Sequence, residues 1–200
     1  LELGNRKTKG AQKEIFDALG LPYGHRIESF DHSHIQGADP VSALVVFTDG
    51  EPDKHEYRKY KLKGEVEHQN AADEVGNTRE VVRRRYSRLL KEHKKMPDLI
   101  LMDGGQIQVD ACLDVLRNEL NVNIPVAGMV KDDHHRTNHL IFGDPTQGEE
   151  LKLIPLNPKS EGFYLMTRIQ DEVHRFAITF HRQVRSKNSF SSKLDGVEGQ

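Results

Sequence analysis

The stretch "PDLILMDGG", residues 97–105, decides how this sequence folds. Leu99 to Met102 are apolar without a break, between Pro97 and Gly104. A short run with no alternation reads as a strand buried on both faces, at the centre of a helix-covered sheet. The strand is predicted over 98–102, and Asp103 closes it. Working outward, residues 106–120 predict a helix with Ala111, Val115 and Leu116 inward. Residues 125–130 ("PVAGMV") predict a second buried strand. Strand, helix and strand of this length make a parallel crossover. Upstream, residues 78–94 predict a helix that buries Val82, Tyr86, Leu89 and Leu90, and Met96-Pro97 stops it.

The N-terminal third has a different grain. Residues 10–20 predict a short helix ending at Gly20, and 26–31 a strand. In "SFDHSHIQGADPVSALVVF", residues 29–47, Gly37 and Pro40 turn the chain into a second, β-branched strand over 41–48. "DGEPD" at 49–53 is a turn signal, and 56–63 alternates as a third strand with one wet face. Three strands joined so tightly form an antiparallel meander. Residues 131–150 are polar, with short strands expected at 139–142 and 151–154. A long helix is expected over 161–185, carrying Leu165, Ile169, Val173, Phe176 and Phe180 as an amphipathic stripe. The last fifteen residues read as a loose tail. The resulting order, β-β-β-α-β-α-β and a long helix, is a ribonuclease H-like α/β arrangement with a mixed sheet. It divides into a leader (1–22), a domain (23–188) and a tail (189–200). No G-x-G-x-x-G follows a strand, which excludes a dinucleotide fold.

The chain has 200 residues, a formal net charge of −2 and 30% charged residues, an ordinary globular balance. No apolar run approaches a membrane span, and residues 1–13 do not read as a signal peptide. One cysteine, Cys112, excludes an intrachain disulfide framework; it is expected to be buried and inert, in a cytoplasmic setting. Charge is unevenly spread. Eight Lys/Arg against two acids lie between Arg79 and Lys95, and five against none between Val173 and Leu194. Either stretch could be a solvated helix face or a phosphate-contacting surface.

Asp31 and Asp103 both close strands, where ligands gather in open α/β sheets. If those strands are neighbours, the carboxylates converge and repel unless a cation lies between them. An oxygen-rich pair of this kind suits Mg²⁺ or Mn²⁺. Each aspartate also has a plain reading, Asp103 in a turn with Gly104 and Asp31 in an Asx-turn with Ser33. His174 stands one helical turn from Asp171, so it is either paired there or free to assist at a metal. A zinc site from His32 or His34 with His174 is a weaker reading.

Five blocks carry a resemblance: "RIESFDHSHIQG", "REVVRRRYSR", "PDLILMDGG", "IPVAGMVK" and "RIQDEVHRFAITFHR". In this order and spacing the sequence resembles UvrC proteins, the nuclease subunits of bacterial UvrABC nucleotide excision repair. The resemblance runs from about Gly24 to Leu194. It implies the C-terminal, ribonuclease H-like endonuclease domain, which incises damaged double-stranded DNA 5′ to the lesion. It implies a divalent metal, Mg²⁺ or Mn²⁺, on Asp31, Asp103 and His174. A further acidic position of the family falls on Glu74, where many relatives have Asp. Ser33 and His34 are expected to steady Asp31 or the backbone beside it, Lys131 to steady a phosphate, and His32 to face solvent. Arg79, Arg83, Arg84, Arg88, Arg175 and Arg182 are candidate phosphate contacts. The partner implied is a UvrB–DNA complex, although the UvrB-binding hairpin, the GIY-YIG domain and the helix-hairpin-helix module of full-length relatives have no counterpart here. The rival expectation is a non-catalytic DNA- or protein-binding module on the same scaffold.

Overall fold

The computed structural model describes the backbone of residues 2–33, 39–63, 73–132, 134 and 137–198. Within these it describes side chains from 6 to 179, apart from 137 and 138. Helix α1 (Glu2–Ala18) precedes strands β1 (Arg26–Ser33), β2 (Val41–Thr48), β3 (Glu51–Pro52) and β4 (Arg58–Lys61). Then come helix α2 (Glu74–Lys91), strand β5 (Leu99–Asp103) and helix α3 (Gln106–Leu113), which continues as a π-helical turn, Asp114–Glu119. Strands β6 (Val126–Lys131), β7 (Thr137–Phe142) and β8 (Lys152–Pro155) lead to helix α4 (Glu161–Glu198).

One eight-stranded sheet runs β3-β2-β1-β5-β6-β7-β8, with β4 also paired to β2. The meander is present: β1 pairs β2 antiparallel, and β2 pairs β3 and β4 antiparallel. The crossover is present too, since β5 pairs both β1 and β6 in parallel. The expected third strand, 56–63, is shortened to Arg58–Lys61, because Glu56 belongs to the 3₁₀ turn Lys54–Glu56, and the expected 49–53 turn carries the two-residue strand β3. Leu99–Met102 are essentially inaccessible, as an uninterrupted apolar run at the sheet centre requires.

Helices cover both faces. Successive residues of a strand point to opposite faces: Phe30 meets Tyr86 of α2 edge-on, while Asp31 meets His174 of α4. Helix α1 packs on α4, and its Ile15 and Phe16 belong to the same core as Phe30 and Phe47. The expected leader thus shares the domain's core. The expected tail is helical instead, for α4 continues to Glu198. A helix already nucleated extends at small cost per residue, so weak sequence signals need not end it.

Helix α2 starts at Glu74 rather than at 78, because the Asp73 side chain accepts the Gly76 N–H at 3.1 Å and caps it. Val82, Tyr86 and Leu89 are buried as expected, but Leu90 is 43% exposed. Arg85 is buried in the stripe instead. Its guanidinium reaches Glu28 of β1 at 2.9 Å. Close approach of backbone to backbone fixes one glycine. A Cβ on Gly128 would lie 2.3 Å from the Gly104 carbonyl oxygen, so β6 can pass the Asp103–Gly104 turn only without a side chain there.

Candidate metal centre

The parallel pairing of β1 with β5 has Phe30 opposite Met102 as its last pair, so the residues that follow, Asp31 and Asp103, stand side by side where that pairing ends. Asp103 closes β5 as expected, but β1 runs on against β2 to Ser33, so Asp31 does not close its strand. Both point to the face covered by α4. From that helix His174 reaches between them, its Nδ1 2.7 Å from Asp31 Oδ2 and its Nε2 3.2 Å from Asp103 Oδ2. One ligand atom from each of Asp31, Asp103 and His174 lies within 4.8 Å of the others. The paired reading with Asp171 is overturned, because both ring nitrogens of His174 face Asp31 and Asp103.

The surroundings hold the group in place and neutralise it only in part. Gln170, one turn before His174 and almost fully buried, donates from Nε2 to Asp103 Oδ1 at 3.0 Å. Lys131, at the end of β6, brings its Nζ to 3.9 Å from the same oxygen. The hydrogen bond to Asp31 raises the pKa of His174. Burial opposes the rise, and the charges of Asp31 and Asp103 add to it. Hard carboxylate oxygens with one imidazole nitrogen are a fitting donor set for a small divalent cation. A cation would also relieve the repulsion of two adjacent carboxylates. Asp31, Asp103 and His174 are the residues that would hold it.

The remaining sequence candidates divide. Lys131 is brought to the site. Glu74 is not: it is exposed in the first turn of α2 and outside the ligand set. Ser33 shares Asp31's strand face, but its buried Oγ has no hydrogen-bond partner among the described residues, so it does not steady Asp31. His34 lies outside the described residues. His32 does not face solvent. It points to the other face, where its ring nitrogens meet Ser42 Oγ at 3.0 Å and Thr78 Oγ1 at 2.8 Å. The same alternation separates His32 from His174 and removes the zinc set built on that pair.

Four of the arginine candidates stand on α2. Arg79 and Arg83 turn toward the π-helical turn, where Arg79 pairs with Asp114 and Glu119, and Arg83 with Glu119 at 2.7 Å. Arg84 donates to the Lys61 carbonyl and stands 5.5 Å from the centre of the Tyr60 ring. Arg88 pairs with Glu92 at 3.0 Å. On α4, Arg175 pairs with Glu172, and the Arg182 side chain lies outside the described residues. Cys112 is fully buried, and burial pushes its thiol up to about 12, which keeps it unreactive. Gln170 was missed from sequence. Its one signal is its place four residues before His174, on the same helix face.

A family model for the UvrC RNAse H endonuclease domain matches residues 16–178. Over 199 residues the chain is 96% identical to UvrABC system protein C of Lactobacillus gasseri and 66% identical to that of Limosilactobacillus reuteri. Each match takes in the whole chain but 33% and 32% of the relative, so the chain spans about a third of the length of these curated relatives. Among solved structures, human ENDOV aligns over 94% of this chain and 99% of its own, with 13% identity and a TM-score of 0.45. The chain belongs to the UvrC family, in the part that forms its RNase H endonuclease domain.

Proposed function

We propose that this domain is a divalent-metal-dependent endonuclease that cuts a DNA phosphodiester, making the incision 5′ to a lesion in nucleotide excision repair. The observation that carries the reading is the convergence of Asp31, Asp103 and His174 within 4.8 Å where the parallel pairing of β1 with β5 ends. A bound Mg²⁺ or Mn²⁺ supplies a Lewis acid for the phosphoryl oxygen and an activated water. The chain's own groups do the rest. Asp31 and Asp103 supply the anionic ligands, and Gln170 keeps Asp103 turned to the site. His174 completes the ligand set or moves a proton at a ring nitrogen. Lys131 places a positive charge beside Asp103, where it can steady a phosphate oxygen. Of the candidate arginines, Arg84, Arg88 and Arg175, whose acidic partners are neighbours on their own helix or just past its end, are proposed to contact DNA phosphates, which position rather than specify. Damaged double-stranded DNA delivered as a UvrB–DNA complex is the proposed substrate.

The test is nicking of supercoiled plasmid during Mg²⁺ and Mn²⁺ titrations, together with calorimetric metal binding. Wild type should nick and bind metal, and Asp31→Asn/Asp103→Asn should do neither. Nicking by the double variant at the wild-type rate would overturn the assignment. Absence of both nicking and metal binding in wild type would leave a binding module.

A further inference from the structure

A groove of about 510 Å³ lies between β4, the C-terminal half of α2 and the first residue of β1. Of its twelve lining residues, eight are Lys or Arg and two are acids, Glu56 and Glu92; Tyr60 and Leu89 complete it. The Lys59 amine turns instead to the Phe176 ring of α4, on the other face of the sheet. Seven cations therefore face the groove against Glu56, Glu92 and the Glu28 carboxylate beneath them, a positive excess in a chain whose formal net charge is −2. Two of the cations are fixed from beneath. Arg26 and Arg85 both donate to the buried Glu28 carboxylate, at 3.0 and 2.9 Å, so their guanidinium groups are held before any ligand arrives. Arg58, Lys94 and Lys95 stand at the rim and are solvent-exposed.

We infer that this groove is a second nucleic-acid contact, gripping the phosphate backbone of duplex DNA away from Asp31 and Asp103. The lining decides the class of occupant. Protein partners bury an apolar, charge-poor centre, and this groove offers two uncharged side chains. Nucleic-acid surfaces are polar and strongly positive. The position fits a flank rather than the reacting phosphate. Arg26 and Asp31 lie five residues, or about 16 Å, apart along β1, and the groove opens on the α2 face. The choice of DNA over another polyanion rests on the nuclease reading; the groove itself does not. Of the groove's cations, the sequence named Arg84 and Arg88 individually and took in Arg85, Lys94 and Lys95 only through the basic stretch from Arg79 to Lys95.

The experiment is fluorescence anisotropy in EDTA, using a labelled undamaged duplex of about 30 base pairs, some three helical turns. Salt is varied from about 50 to 200 mM KCl. Arg58→Glu/Lys94→Glu/Lys95→Glu should weaken binding at least roughly tenfold and flatten the salt slope by about 0.9 for each phosphate no longer neutralised. Arg58→Gln/Lys94→Gln/Lys95→Gln, a milder change, should do the same to a smaller extent. Asp31→Asn/Asp103→Asn removes two charges that repel phosphate in EDTA and should bind duplex no more weakly than wild type, so loss of nicking there tests the centre and not the groove. Unchanged affinity and slope in both rim variants would overturn the inference. So would tighter binding of poly-glutamate than of duplex at equal salt, which would assign the groove to an acidic protein segment.

Discussion

Two carboxylates on β1, three residues apart, meet opposite fates. Glu28 points to the α2 face and is sealed from water. Its oxygens receive Arg26 at 3.0 Å, Arg85 at 2.9 Å and the Tyr86 hydroxyl at 2.7 Å. Burial works against its charge, but Arg85 and these hydrogen bonds outweigh burial and hold the carboxyl below its usual range. Asp31 points to the α4 face, where its described partners are His174, which can be neutral, and beyond it a second aspartate. The first carboxylate is matched by permanent cations and has no capacity left for a ligand. The second is one of a pair in want of positive charge. Matched charge is structure; unmatched charge gathered in one place is chemistry.

The comparison breaks most visibly if Asp103 is changed. Asp103→Ala should keep the fold and cost nicking more than the roughly 10–100-fold typical of changes behind a metal's ligands. Plasmid nicking alongside circular dichroism checks both halves. Glu28→Gln should do the reverse. It strands Arg85 and Arg26, and losing one partner of a buried pair costs about 3–5 kcal/mol. Urea unfolding should show that loss, and the folded fraction should still nick. Because the folded pKa of Glu28 is lowered, its contribution is fully present above the unfolded value, about 4.3. It is lost as pH falls through the folded value. The variant should therefore lose part of the acid dependence of stability.

His174 should give a subtler signature. Its pKa is raised in the fold, so in EDTA its pairing adds stability below the unfolded value of about 6.5. That contribution disappears as pH rises through the folded value. A protonated imidazole has no lone pair for a metal. Metal binding should thus strengthen over the pH range in which metal-free stability falls. Calorimetric Mn²⁺ titrations and thermal melts across pH compare the two trends, and His174→Ala should remove both. The smallest effect is expected for Gln170→Ala. Its amide turns Asp103 without touching the ligand space, so metal affinity should drop by about 10-fold, with stability changed far less than in Glu28→Gln.

Much of the fold was legible along the chain. The unbroken run before Asp103, the β-branched run over 41–48 and the stripe on α4 each state their own burial, because periodicity depends on neighbours a few residues away. Asp103 could be placed at a strand end by the same logic, Asp31 was expected two residues too close to the end of its strand, and the resemblance named His174 with them. Errors fell where the partner is remote in sequence. Arg85 looks like the third arginine of a solvated run, yet Glu28, 57 residues earlier, buries it. His32 looked exposed until Thr78 met it from α2.

The sequence by itself determined most of the segments that become strands and helices, and that Asp103 ends one, since those properties are local. Only the tertiary structure decided which charges are neutralised. That depends on the pairing of β1 with β5, and on which helix covers which face. One residue of alternation on β1 turns His32 to Thr78 and Asp31 to His174. No local pattern states which of those faces will receive the permanent cations and which will be left to bind one.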